Sequence, residues 1–135
     1  MIKLLIGVKG TGKTKTLIEA TNQALADSKG YVVCLERGTK LRSNINYKVR
    51  LINTDDYLID DASALGGMVS GIIAGNSDVT DLFVDSALKI CGNDVAAFDA
   101  FLLDLEKITA NNPVKILMTA SIATEDASET MKKFL

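Results

Sequence analysis

The chain contains no histidine, no tryptophan and one proline, Pro113, and aromatic residues make up only 5% of it. Without imidazole, His-ligated zinc sites and nucleophilic triads that need a histidine base are excluded. The two cysteines, Cys34 and Cys91, stand apart in apolar runs. They read as small buried hydrophobes of a reducing compartment, not as a disulfide framework. No apolar run reaches the roughly 18–20 residues of a membrane-spanning helix. The N-terminus lacks the basic, apolar, small-residue layout of a secretory signal, so a cytoplasmic protein with no membrane span is expected. Lysine and arginine total 15 against 17 acidic residues, a net charge of −2. That balance argues against a general nucleic-acid binder.

What is present is ordinary for a globular chain: 135 residues, 47% of them apolar and 24% charged. This length predicts a single domain, 1–135, able to bury about two-thirds of its unfolded surface without disulfides. Short apolar runs alternate with helical patterns. Buried strands are expected at 2–6, 31–35, 82–84 and 114–118, from their length and their turn-forming flanks. Helices are expected from Lys13 to about Ala26, from Asp60 or Asp61 to about Ala74, and after Asn93 or Asp94, where Phe98, Phe101, Leu102, Leu105 and Ile108 form one stripe. A last helix is expected from near Thr124, with Glu125 and Asp126 in its first turn and Lys132 and Lys133 in its last. Between Leu41 and Leu51 apolar and polar residues alternate, which predicts one or two half-exposed strands at a sheet edge. Strands alternating with helices imply an α/β fold in three layers: a mostly parallel sheet of about five strands, with helices on both faces.

Residues Gly7-Val8-Lys9-Gly10-Thr11-Gly12-Lys13-Thr14 fit the pattern G-x-x-x-x-G-K-[ST] at every fixed position, between an expected strand and an expected helix. Glycines let the backbone curl so that successive N–H groups converge on phosphate oxygens. The helix N-terminus that follows, through Lys15, adds partial positive charge. Lys13 suits the β- and γ-phosphates of a nucleotide, and the Thr14 hydroxyl suits Mg²⁺. Mg-ATP is the expected ligand.

On this Walker A motif the chain resembles the P-loop NTPase superfamily. The resemblance implies a second element, an apolar strand ending in a magnesium-facing aspartate, and Leu82-Phe83-Val84-Asp85 fits it. Many such ATPases carry a glutamate directly after that aspartate, whereas here the residue is Ser86. The RecA-like branch instead has aspartate–serine at this point and a glutamate ending the strand after the P-loop helix. Leu35-Glu36 matches that arrangement, and Thr119 ends a later run where the branch carries a γ-phosphate sensor. The resemblance thus implies Glu36 as the group orienting an attacking water. The alternative for Glu36 is a solvated strand-end carboxylate, and for Thr119 a turn-initiating hydroxyl. The chain also looks like very small stand-alone P-loop proteins of anaerobic Gram-positive bacteria, some labelled PilT-type twitching motility proteins. Those motors carry a second domain and acidic and histidine-containing boxes, which a 135-residue chain with no histidine is not expected to supply.

Residues 37–50 hold five basic and no acidic residues, including all three arginines, Arg37, Arg42 and Arg50. From 54 to 131 three lysines face fourteen acids, a balance of −11. The basic stretch is either a polyanion-facing patch, an arginine offered to a neighbouring subunit's phosphate, or an edge strand kept soluble by charge. Gly67, Gly71 and Gly75 recur every four residues, which predicts a smooth helix side for tight packing within the domain or against a sister chain. No arginine follows Arg50, so the arginine-bearing lid of small-molecule kinases is missing, and no Asn-Lys-x-Asp base-reading motif of GTPases occurs. The expected function is a slow or partner-activated ATPase. The alternative is a non-catalytic nucleotide-dependent module, with a small kinase disfavoured. A homo-oligomer or protein partner is expected to accelerate turnover.

Overall fold

A computed structural model describes residues 1–135. Ten regular elements follow one another: β1 (Ile2–Gly7), α1 (Lys13–Asp27), β2 (Tyr31–Glu36), β3 (Arg50–Asn53), α2 (Ala62–Gly75), β4 (Val79–Val84), α3 (Ala87–Ile90), α4 (Val95–Thr109), β5 (Lys115–Ser121) and α5 (Glu129–Lys132). The strands form one five-stranded sheet in the order β1-β5-β4-β2-β3. Every strand pair is parallel.

Side chains of successive strand residues point to opposite faces, and both faces of this sheet are covered. Val32 and Cys34 of β2, with Phe83 of β4, pack against Leu17 of α1 and against Leu41, Ile45 and Val49. Val33 and Leu35, with Leu82, Val84, Ile116 and Met118, face the larger core built from α2, α3, α4 and α5. The fold is therefore a three-layer α/β sandwich. Burying a leucine- or phenylalanine-sized side chain contributes roughly 1.5–3 kcal/mol, so the stripe Phe98, Phe101, Leu102 and Leu105 holds α4 in the larger core, beside α2. Asp61 and Asp94 cap α2 and α4, accepting from the Ala64 and Ala97 N–H groups. On the outer edge of β1 the Leu4 N–H donates to the Phe134 carbonyl at 2.7 Å, so the C-terminal segment lies along that edge.

Two expectations are corrected and a third is narrowed to one of its alternatives. Residues 41–49 are turns, and only Arg50–Asn53 is strand, at the sheet edge. A period of two also contains a period of four. Leu41, Ile45 and Val49 are buried on that longer period, while Tyr47, the residue a strand would have placed beside them, is 88% exposed. Asn22 of α1 fixes the turns, its amide donating to the Asn44 carbonyl and accepting from the Asn46 N–H, each at 2.9 Å. The last helix is broken in two: a 3₁₀ turn at Thr124–Asp126, then α5, capped anew by Ser128 Oγ accepting from the Met131 N–H. Finally, a Cβ on Gly67, Gly71 or Gly75 would meet nothing within 4 Å, so the smooth side of α2 is not packed inside the domain. No helix is long and apolar enough to cross a membrane.

Candidate functional site

Strand β1 ends at Gly7, whose φ is +155° and where a Cβ would lie 2.6 Å from Thr11 Oγ1. Gly10 and Gly12 follow at φ +89° and +87°, with open space where side chains would stand. That left-handed backbone is easy for glycine and strained for other residues. It makes a concave turn that leads directly into α1. Gly12 is the N-cap and supplies no side chain, so the first N–H groups of a fifteen-residue helix have no side-chain acceptor. Lys13 folds back over the turn, donating to the Val8 carbonyl at 3.0 Å, and Thr11 Oγ1 donates to the same carbonyl at 2.9 Å.

The parallel order brings distant sequence to this turn. Because β5 lies between β1 and β4, its Thr119 meets the end of β4. Thr119 Oγ1 donates to Asp85 Oδ1 at 2.7 Å and accepts from the Ser86 N–H at 2.8 Å. On its other side Asp85 accepts from Thr14 Oγ1, at 3.1 Å to Oδ1 and 3.3 Å to Oδ2. Asp85 is thus clamped between the hydroxyl that follows Lys13 and the hydroxyl of β5. Ser86 takes a left-handed φ of +57°, which turns the chain sharply into α3.

Glu36 closes β2 beside them, 3% exposed. Its two oxygens accept from the Lys40 and Leu41 N–H groups at 3.0 and 3.1 Å, so residues 37–41 wrap around the carboxylate. Burial pushes its pKa above the ordinary carboxylate value, and the negative charge of Asp85 adds to the rise. The two backbone N–H bonds and Lys40 oppose it. Burial pushes the neighbouring Cys34 thiol up to about 12, with Asp85 and Glu36 adding to the rise.

These groups line a single cleft of about 640 Å³. Of the expected site residues, Lys9, Gly10, Gly12, Lys13, Thr14, Lys15, Glu36, Asp85 and Thr119 border it; Gly7, Val8 and Thr11 shape the turn beneath. The cleft also gathers Arg37, Lys40 and Lys89, so six cations face two carboxylates. Lys89 escapes sequence reasoning because α3 is only four residues long and carries no periodic pattern. Arg37 pairs with Asp55 at 3.4 Å, both partners about half exposed, an interaction worth little. Arg42 and Arg50 do not border the cleft.

No group of three or more His, Cys, Asp or Glu side chains forms a metal site of its own. A hard divalent cation here would take oxygen donors from Thr14, Asp85, water and a phosphate, the mixed set that suits Mg²⁺. The open turn, the free helix N-terminus and the surplus of cations suit a polyphosphate. No protein-family model matches the chain, and no curated protein matches it in sequence.

Proposed function

We propose that this chain is a P-loop nucleotide-binding protein of the RecA-like type that takes Mg-ATP in the cleft and hydrolyses it slowly. The observation that carries the reading is the Thr14–Asp85–Thr119 hydrogen-bond chain at the mouth of the glycine turn. A turn with no ligand has no need of an aspartate held by two hydroxyls beside a helix N-terminus. The N–H groups of residues 10–15 and the Lys13 ammonium bind the phosphates. Thr14 and Asp85 would hold the metal ion, and Thr119, hydrogen-bonded to Asp85, would keep that carboxylate in place. A bound Mg²⁺ would neutralise charge on the β- and γ-phosphate oxygens.

Glu36 is the one other carboxylate in the cleft. Each of its oxygens retains a lone pair beyond its backbone bond and can accept from a water. Attack by that water on the γ-phosphorus would break the bond to the β–γ bridging oxygen and release ADP and phosphate. Arg37, Lys40 and Lys89 border the same cleft and are cations within the chain that could meet the developing charge, beside an arginine offered by a partner.

A second reading, a nucleotide-dependent module without turnover, is favoured by the two backbone bonds of Glu36, which tie it into the 37–41 loop. Calorimetry with ATP, ADP and GTP in the presence of magnesium tests the common core of both. ATP is expected to bind to the wild type, and Lys13→Ala is expected to abolish binding. Failure of the wild type to bind any nucleotide refutes the proposal. Phosphate release by wild type and Glu36→Gln then separates the two readings, since equal rates would remove Glu36 from the mechanism.

A further inference from the structure

A second concavity, of about 970 Å³, lies where β2 and β4 begin, whereas the phosphate-suited cleft lies where they end. The two share no lining residue. Three cations line this groove, Arg42, Lys48 and Arg50, and no carboxylate does. The only ion pairs in the chain are Arg37–Asp55 and Lys132–Glu129, so all three charges are unpaired. Asp78 falls between the lining residues Asn76 and Val79 in sequence but is not itself in the lining. Keeping an edge strand soluble does not account for the arrangement, because Arg42 and Lys48 stand on turns outside the four-residue β3.

Two tyrosines belong to the same groove, Tyr31 at 56% and Tyr47 at 88% exposure. Neither hydroxyl makes a side-chain hydrogen bond within the chain, and on the α2 side Ile72 and Asn76 line the groove between the open positions of Gly71 and Gly75. Exposed aromatic faces beside unpaired cations are the two components of single-strand recognition: bases stack on rings while the phosphate backbone follows the charges. We propose that this groove binds single-stranded nucleic acid, with phosphates on Arg42, Lys48 and Arg50 and bases stacked on Tyr31 and Tyr47. A duplex hides its base faces and would leave the rings unused. A peptide of acidic residues alone would satisfy the cations but offers no flat face to the rings. A second copy docked symmetrically through this patch would set three cations against three. The overall charge of −2 does not oppose the assignment, because carboxylates beyond about 8 Å are largely screened at physiological ionic strength. The proposal is independent of the phosphate-loop reading.

The test is fluorescence anisotropy on the full chain with labelled oligo-dT and oligo-U of about 12 nucleotides, a blunt duplex and polyglutamate as competitors, over a salt series starting at about 50 mM. Single strands are expected to bind saturably, with log K falling against log salt with a slope of about −2 for three neutralised phosphates. Replacing Arg42, Lys48 and Arg50 together by alanine should bring the slope near zero. Tyr47→Ala should weaken binding roughly tenfold at unchanged slope. All four side chains are exposed, so melting temperatures should stay at the wild-type value. Lys13→Ala should bind the oligonucleotide as well as wild type does, which keeps this result separate from any failure of nucleotide binding. The proposal is overturned by absence of binding at low salt, by polyglutamate competing as well as the oligonucleotide with Tyr47→Ala silent, or by loss of binding in Lys13→Ala with the groove variants unaffected.

Discussion

Replacing Thr119 by valine isolates the contribution of one buried hydroxyl. Thr119 is 2% exposed, and valine keeps its volume and its β-branched fit to the strand. The substitution removes the 2.7 Å bond to the Asp85 carboxylate and leaves the Ser86 N–H without its acceptor. A hydrogen bond to a charged group contributes roughly 1.5–3 kcal/mol, and an unsatisfied partly buried donor costs about 1–3 kcal/mol. Simple addition gives about 2.5–6 kcal/mol. Asp85 keeps its contact with Thr14, so the lower half of that range is expected, about 3 kcal/mol. Urea unfolding should show a lower midpoint at unchanged slope, the signature of lost stability without a changed unfolded state. Thr119→Ser keeps both hydrogen bonds, loses one methyl group and should cost about 1 kcal/mol. In a cycle with Thr14→Val, the two changes should couple by at least about 0.5 kcal/mol, because they share one carboxylate. If Thr119→Val proves no less stable than Thr119→Ser, the hydroxyl does not hold Asp85, and the account of the site fails.

Other outcomes follow from the same structure. Glu36 has a folded-state pKa above the ordinary 4.5, so the folded chain holds this proton more tightly than the unfolded chain; its contribution is full below 4.5 and is lost as pH rises through the raised value. Glu36→Gln should remove that downward slope, and denaturation midpoints measured from acid to neutral pH would show it; an unchanged slope would assign the titration elsewhere. The Cys34 thiol, fully buried and pushed up to about 12, should react with a thiol reagent at neutral pH only as fast as the protein unfolds; rapid labelling of native protein at Cys34 would contradict its burial. Gly67→Ala should stabilise α2 by up to about 1 kcal/mol, since alanine is the better helix former and its methyl meets open space; a loss of stability in calorimetric melting would mean that something packs on that face. On the proposed ATPase reading, turnover per chain should rise with protein concentration or with a partner, read by phosphate release alongside light scattering; fast turnover by a strict monomer would assign the role to Arg37, Lys40 or Lys89 within the chain.

Local chemistry made part of this protein legible in its sequence. Glycine at 7, 10 and 12 followed by Lys13-Thr14 specifies a curled turn entering a helix, because few other residues tolerate those backbone angles. The stripe on α4, the caps at Asp61 and Asp94 and the apolar runs that became β1, β2, β4 and β5 are likewise short-range signals, each written within a few residues. Local signals failed where two periods coincided. The alternation at 41–51 fits a strand and an i, i+4 turn series equally well, and Asn22, far away in sequence, selected the turns. Lys89 carried no signal at all, since a four-residue helix has no period to detect. Only the tertiary structure decided what meets what. Inserting β5 between β1 and β4 joins Thr119 to Asp85 and Asp85 to Thr14, across 34 and 71 residues of chain. The same sheet order separates the arginines, leaving Arg37 in one cleft and Arg42 and Arg50 in another groove. Strand order in a parallel sheet is set by how the connecting helices pack on its two faces, a sum over many distant contacts, and no short stretch of sequence contains that sum.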